Sequence, residues 1–90
     1  MINKTNLSHL TLEKLFTLLP KKIYANNCVG MFVLHKTRQG KFIAVYSGKG
    51  FSVQTQVKLT IREAIENILV RLVNGGFINE EEFLKSITNG

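Results

Sequence analysis

The side chains of this 90-residue chain best suited to nucleophilic or imidazole chemistry are Cys28, His9 and His35. Cys28 and His35 are the pair to weigh, a thiol with a base beside it. Seven residues of extended strand set them about 23 Å apart, so within one strand they do not meet. Cys28 therefore reads as a small half-buried hydrophobe. His35 reads as a surface or hydrogen-bonded residue at a hairpin end, and His9 falls in a polar lead-in. Acid–base chemistry by paired carboxylates has little to draw on, because the chain holds no Asp and six Glu. Glu80, Glu81 and Glu82 open a helix, where negative charge complements the macrodipole. Glu63 reads as a capping residue and Glu66 as solvent-facing. Gly48-Lys49-Gly50 lacks the G-x-x-x-x-G-K-[ST] spacing of a phosphate loop and precedes a strand, so it reads as a turn. The expectation is a protein with no catalytic, metal or cofactor residues, acting by binding.

Charge is the second chemical signal. From Lys14 to Arg62 there are nine basic residues and no Asp or Glu, within a net charge of +6. From residue 63 onward five Glu face Arg71 and Lys85. A basic block of this kind attracts phosphates and acidic proteins through one Coulomb term. Lys36, Arg38 and Lys41 gather around one hairpin tip, and Lys49 sits in the next turn. With Phe32, Phe42 and Tyr46 as stacking aromatics, they make a nucleic-acid-binding hairpin the alternative function. A membrane-surface helix is not expected, since the helix carrying Arg62 and Arg71 also carries Glu63 and Glu66.

The elements that position these residues follow from periodicity. Residues 1–9 read as a polar lead-in. Leu12, Leu15, Phe16 and Leu19 have helical spacing within 10–19, with Ser8 or Thr11 as cap and Pro20 as stop. Residues 21–27 read as a connection containing an Asn26-Asn27 turn. Val29–Thr37 and Lys41–Ser47 form a hairpin closed by Thr37-Arg38-Gln39-Gly40, with Gly40 suited to the left-handed position. Phe51, Val53 and Val57 alternate with Ser52, Gln54 and Gln56 in a third strand, giving a three-stranded meander over 29–57. Thr60 and Glu63 carry a capping-box signature before a helix at 61–74, whose Ile61, Ala64, Ile65, Ile68, Leu69 and Leu72 share an arc of about 140°. Gly75-Gly76 ends it. Asn79 caps a last helix at 80–88, with Ile78 and Phe83 as a hydrophobic staple. The fold class is α+β in the order α-β-β-β-α-α, a three-stranded antiparallel meander packed against helices in a single domain, 1–90.

In element order, α-β-β-β-α over about residues 8–74 resembles the double-stranded-RNA-binding domain. That family carries a lysine cluster where its second helix begins. The corresponding stretch here is Thr60-Ile61-Arg62-Glu63-Ala64, with one cation and one acid, and the chain is not assigned to it.

The hairpin has one property that no single helical layer satisfies. A three-residue loop from Arg38 to Gly40 pairs Thr37 with Lys41, hence Leu34 with Ala44 and Phe32 with Tyr46. One face then carries Met31, Val33, His35, Ile43 and Val45, and the other Phe32, Leu34, Phe42, Ala44 and Tyr46. A sheet covered on one side alternates apolar with polar, and these two strands do not. One face takes a helix; the second needs the first helix, the tail, another chain or a ligand. A 90-residue domain is also marginal alone. The primary expectation is a homodimer formed through an apolar sheet face or edge, with Phe32, Leu34, Phe42 and Tyr46 as interface residues. The sequence does not identify an external partner; a nucleic acid or an acidic protein is compatible with the basic block. A single Cys, no apolar h-region near Met1 and no run long enough for a membrane span fit a cytoplasmic setting.

Overall fold

The computed structural model describes residues 1–88. It is an α+β fold in which a four-stranded antiparallel sheet carries three helices on one side. The elements are α1 (Leu12–Leu18), β1 (Lys22–Ala25), β2 (Cys28–Lys36), β3 (Phe42–Gly48), β4 (Phe51–Gln54), α2 (Ile61–Asn74) and α3 (Glu80–Thr88), with a 3-10 turn at Lys4–Leu7. The sheet order β1-β2-β3-β4 is a simple meander.

The strand the sequence reading missed is β1. Asn26 and Asn27 do turn the chain, but both take positive φ, 51° and 64°, and join two paired strands rather than ending a loop. Two consecutive left-handed residues are what a two-residue hairpin needs, and Asn tolerates that conformation. The sheet is thus four-stranded, and the order α-β-β-β-β-α-α departs from that of the double-stranded-RNA-binding domain by one strand.

The central hairpin has the expected register. Leu34 opposes Ala44 and Phe32 opposes Tyr46. Thr37 donates to Lys41 (2.8 Å), Gly40 donates to Thr37 (3.0 Å), and Gly40 takes φ 76°. The last strand is shorter than expected. After Gln54, residues 55–57 oppose only residues 43–44 before Lys58 pairs with Phe42. This extra residue acts as a bulge and reverses the alternation. Thr55 takes the buried place, its hydroxyl accepting from the Ala44 amide at 3.2 Å, and Val57 is turned out to solvent.

α2 is the organising helix. Thr60 accepts from the Glu63 amide at 3.1 Å and starts it. At the other end Gly76 (φ 83°) donates to Val73 and Phe77 donates to Leu72, satisfying two of the last carbonyls. Ala64, Ile65, Ile68, Leu69 and Leu72 are wholly buried, each large one contributing about 1.5–3 kcal/mol. The Ile68 and Leu72 side meets Ile23, Ala44 and Tyr46 of the sheet. The Ile65 and Leu69 side meets Leu15 of α1 and Phe83 and Ile87 of α3. α1, capped by Thr11 through the Lys14 amide, therefore lies in the helical layer and does not wrap behind the sheet.

Residues 1–9 are part of the domain. Ile2 and Leu7 are buried against α2. Asn74 holds the Ile2 backbone by two hydrogen bonds of 2.9 Å. Arg62 donates to the carbonyls of Leu7 and Ser8 and pairs with Glu66 at 3.2 Å. Glu66 is therefore buried, not solvent-facing, because the N-terminal turn folds over it.

Candidate functional site

The three helices leave the second sheet face uncovered. Residue parity on paired strands decides which side chains stand there. Tyr24 opposes Val29, Val33 opposes Val45 and His35 opposes Ile43, all on the side away from the helices, together with Met31. Lys58 shares the helix side with its partner Phe42, so Val57 continues the uncovered face beyond Ile43. The surface so formed is built from Tyr24, Val29, Met31, Val33 and Val57, with Ile43 and Val45 half-buried among them. Tyr24 is 70% exposed, Met31 58% and Val57 50%. Polar positions on the same side are Lys22, Ser52 and Gln54 on the edge strands and Ser47 on β3 opposite Met31. It contains no carboxylate.

The interface residues expected from sequence lie on the opposite side. Tyr46 is wholly buried, and its hydroxyl donates to the Pro20 carbonyl. Burial pushes that hydroxyl above the ordinary phenol range. Phe32 tilts against the Tyr46 ring, with centroids 5.3 Å apart. Leu34 and Phe42 pack onto the same cluster beneath α2. These four are core residues, as is the stacking platform of Phe32, Phe42 and Tyr46. The most exposed aromatic ring of the sheet, Tyr24, stands on the unexpected strand. The Asn26-Asn27 pair flanked by Ile23-Tyr24-Ala25 and Val29 was the available signal, since two residues of that type between short β-prone runs mark a hairpin.

The expected cations divide into two places. Lys36, Arg38 and Lys41 come together at the β2–β3 turn. Lys49 lies in the β3–β4 turn at the other end of a seven-residue strand, about 23 Å away. The glycines around Lys49 have backbone reasons: a Cβ on Gly48 would stand 2.0 Å from the Val29 carbonyl oxygen, and Gly50 takes φ 91°. Cys28 and His35 sit toward opposite ends of β2. Among the described residues, no three His, Cys, Asp or Glu side chains form a metal-binding group, and no helix is long and apolar enough to cross a membrane.

A cavity of about 140 Å³ opens on the helical side, where Lys4 and Lys58 face Glu63 and Glu66. Its carboxylates are engaged internally, Glu63 by the Thr60 hydroxyl at 3.3 Å and Glu66 by Arg62. No family model matches the chain, and no curated protein or solved structure matches it either.

Proposed function

We propose that this protein is a non-enzymatic interaction module that pairs with a second copy of itself through the uncovered sheet face. The observation behind this reading is the set Tyr24, Val29, Met31, Val33, Ile43, Val45 and Val57, contiguous across the sheet and covered by no helix among the described residues. Apolar surface of that kind is stabilised by a partner at about 25 cal/mol per Å² removed from water. The domain is a slab of 35 × 34 × 19 Å. A stable pair buries roughly 800 Å² per partner, so the contact takes in the polar residues around the apolar set as well. Two such sheets pack face to face as in a sandwich, and the natural symmetry is two-fold. The interface residues are thus the outward set, and Phe32, Leu34, Phe42 and Tyr46 serve by packing the sheet onto α2. A reducing cytoplasmic setting suits the free Cys28.

Sedimentation or light scattering across concentration tests the reading. A dimer is expected at micromolar concentrations. Added salt strengthens it, because the rim charges Lys22 and Lys41 of the two copies repel. A strict monomer at several hundred micromolar sinks it. Val33→Gln with Val45→Gln removes the apolar centre without adding charge, and this variant is expected to be a folded monomer.

A further inference from the structure

The charge of the molecule is sorted by layer. The sheet and its turns, residues 21–58, carry seven cations and no carboxylate, whereas the rest of the chain carries five cations against six carboxylates. Five of the seven, Lys21, Lys22, Lys36, Arg38 and Lys41, border one stretch of sheet edge. β1 pairs with β2 only from Cys28 to Met31. β2 runs on to Lys36, so Phe32–Lys36, about 17 Å of strand, has β3 on one side and no strand on the other.

Backbone polarity along that edge is fixed by the central hairpin. Thr37 donates to the Lys41 carbonyl, so the odd residues of β2 direct their amides and carbonyls to β3. The even ones, Leu34 and Lys36, direct theirs outward, and among the described residues no hydrogen bond from a turn, loop or side chain reaches them. The chain ahead of β1 does not fill the gap. The Tyr46 hydroxyl, beneath the sheet, donates to the Pro20 carbonyl and draws that segment to the helical side. What is left is a row of alternating donors and acceptors, open to a further strand.

We propose that this edge receives an extended acidic segment of another protein, added as a strand beside Phe32–Lys36. A peptide backbone supplies both donors and acceptors at the strand repeat, whereas phosphates supply acceptors only. The cations select the charge of the incoming strand. Lys36 stands on the edge itself, with Arg38 and Lys41 at one end and Lys21 and Lys22 at the other, so carboxylates meet a cation along its whole length. A second copy of the same edge sets like charges against each other, which opposes edge-to-edge pairing of two such chains. The edge lies in the plane of the sheet and the apolar face stands above it, so this docking does not rest on self-pairing.

A blocked heptapeptide of alternating glutamate and valine tests this, with amide hydrogen exchange of the protein followed by NMR. At saturation the Leu34 and Lys36 amides are expected to exchange about tenfold more slowly or better, while the His35 amide, already bonded to β3, changes little. The counterpart with every backbone amide N-methylated keeps the charge, cannot donate, and is expected to bind about tenfold more weakly. Lys36→Pro removes the outward amide and leaves the bonds to β3, which an edge position tolerates, and is expected to weaken binding about tenfold. Lys36→Gln removes the charge alone and weakens it about threefold. Should Lys36→Pro fail to fold, the methylated peptide carries the same comparison. The proposal is overturned if neither amide is protected at millimolar peptide, or if the methylated peptide or a lysine–valine one binds as tightly. It is also overturned if a short DNA duplex protects the same two amides, or if they slow with protein concentration alone, which gives the edge to a second copy. The Val33→Gln/Val45→Gln variant is expected to bind the heptapeptide as the parent does; loss of binding there places the peptide on the apolar face and overturns the proposal.

Discussion

The two faces of the β2–β3 hairpin are close to equal in hydropathy and opposite in fate. Phe32, Leu34, Ala44 and Tyr46 lie under α2, and Tyr46 and Ala44 are fully buried. Met31, Val33, Ile43 and Val45 have no layer above them, and Met31 is more than half exposed. Side-chain type does not distinguish them. What does is the shape of the helical layer. α2 lies across the sheet and α1 and α3 pack on its flank, so all three cover one side. The comparison teaches that a strand pattern measures how much apolar surface needs covering, and the placement of helices decides which half is left for another molecule.

The sharpest way to break the comparison is to cut the covered side. Leu69→Ala is expected to cost about 3 kcal/mol and lower the melting temperature by more than 10 °C, because it leaves a cavity between α2 and its neighbours. Thermal denaturation followed by circular dichroism reads this directly. On the open side, Val33→Gln/Val45→Gln is expected to weaken self-association more than tenfold in sedimentation while the melting temperature at low concentration moves by only a few degrees. If both variants unfold alike, the faces are equivalent and the assignment of one to a partner fails.

A smaller effect is expected at Tyr46, which belongs to the covered side through its ring and its hydroxyl. Tyr46→Phe removes the bond to the Pro20 carbonyl and is expected to cost about 1 kcal/mol. Burial raises the phenol above its ordinary value of 10. The neutral form is the one the fold accepts, so its contribution is complete below pH 10 and is lost as pH rises further. Denaturant titrations at rising alkaline pH are expected to show wild type losing more stability than Tyr46→Phe. The smallest effect is at the hairpin that adds the fourth strand. Asn27→Gly relieves a left-handed residue at φ 64° and is expected to change stability by only a few tenths of a kcal/mol, whereas Asn27→Ala costs about 1 kcal/mol. An Asn27→Ala variant as stable as wild type would argue against that turn.

Much of the local structure was legible. The β2–β3 register followed from one loop length, since a period of two leaves no freedom once Thr37 and Lys41 are paired. The caps Thr11, Thr60 and Asn79 were readable because each side-chain oxygen answers a nearby amide in sequence. Less legible was anything that depends on contacts between distant segments. Ile2 and Leu7 are scattered in a polar stretch and show no periodicity, yet they are buried by packing on α2, and Glu66 is buried with them. Of the candidate site, the cation cluster at the turn was visible as Lys36, Arg38 and Lys41. The interface was assigned to Phe32, Leu34, Phe42 and Tyr46, and that assignment failed because the strand pattern does not say which side the helices cover.

The chain's order of residues was sufficient for the turn chemistry, the helix boundaries, the excess of apolar strand surface and the confinement of acidic groups to its two ends, because each rests on near neighbours or on simple counting. Only the folded molecule decided that α1 joins α3 beside α2, that the N-terminal turn seals Glu66, and that Tyr24, Met31 and Val57 face water together. Those outcomes come from long-range packing, in which segments more than fifty residues apart compete for one side of a sheet whose two sides are locally indistinguishable.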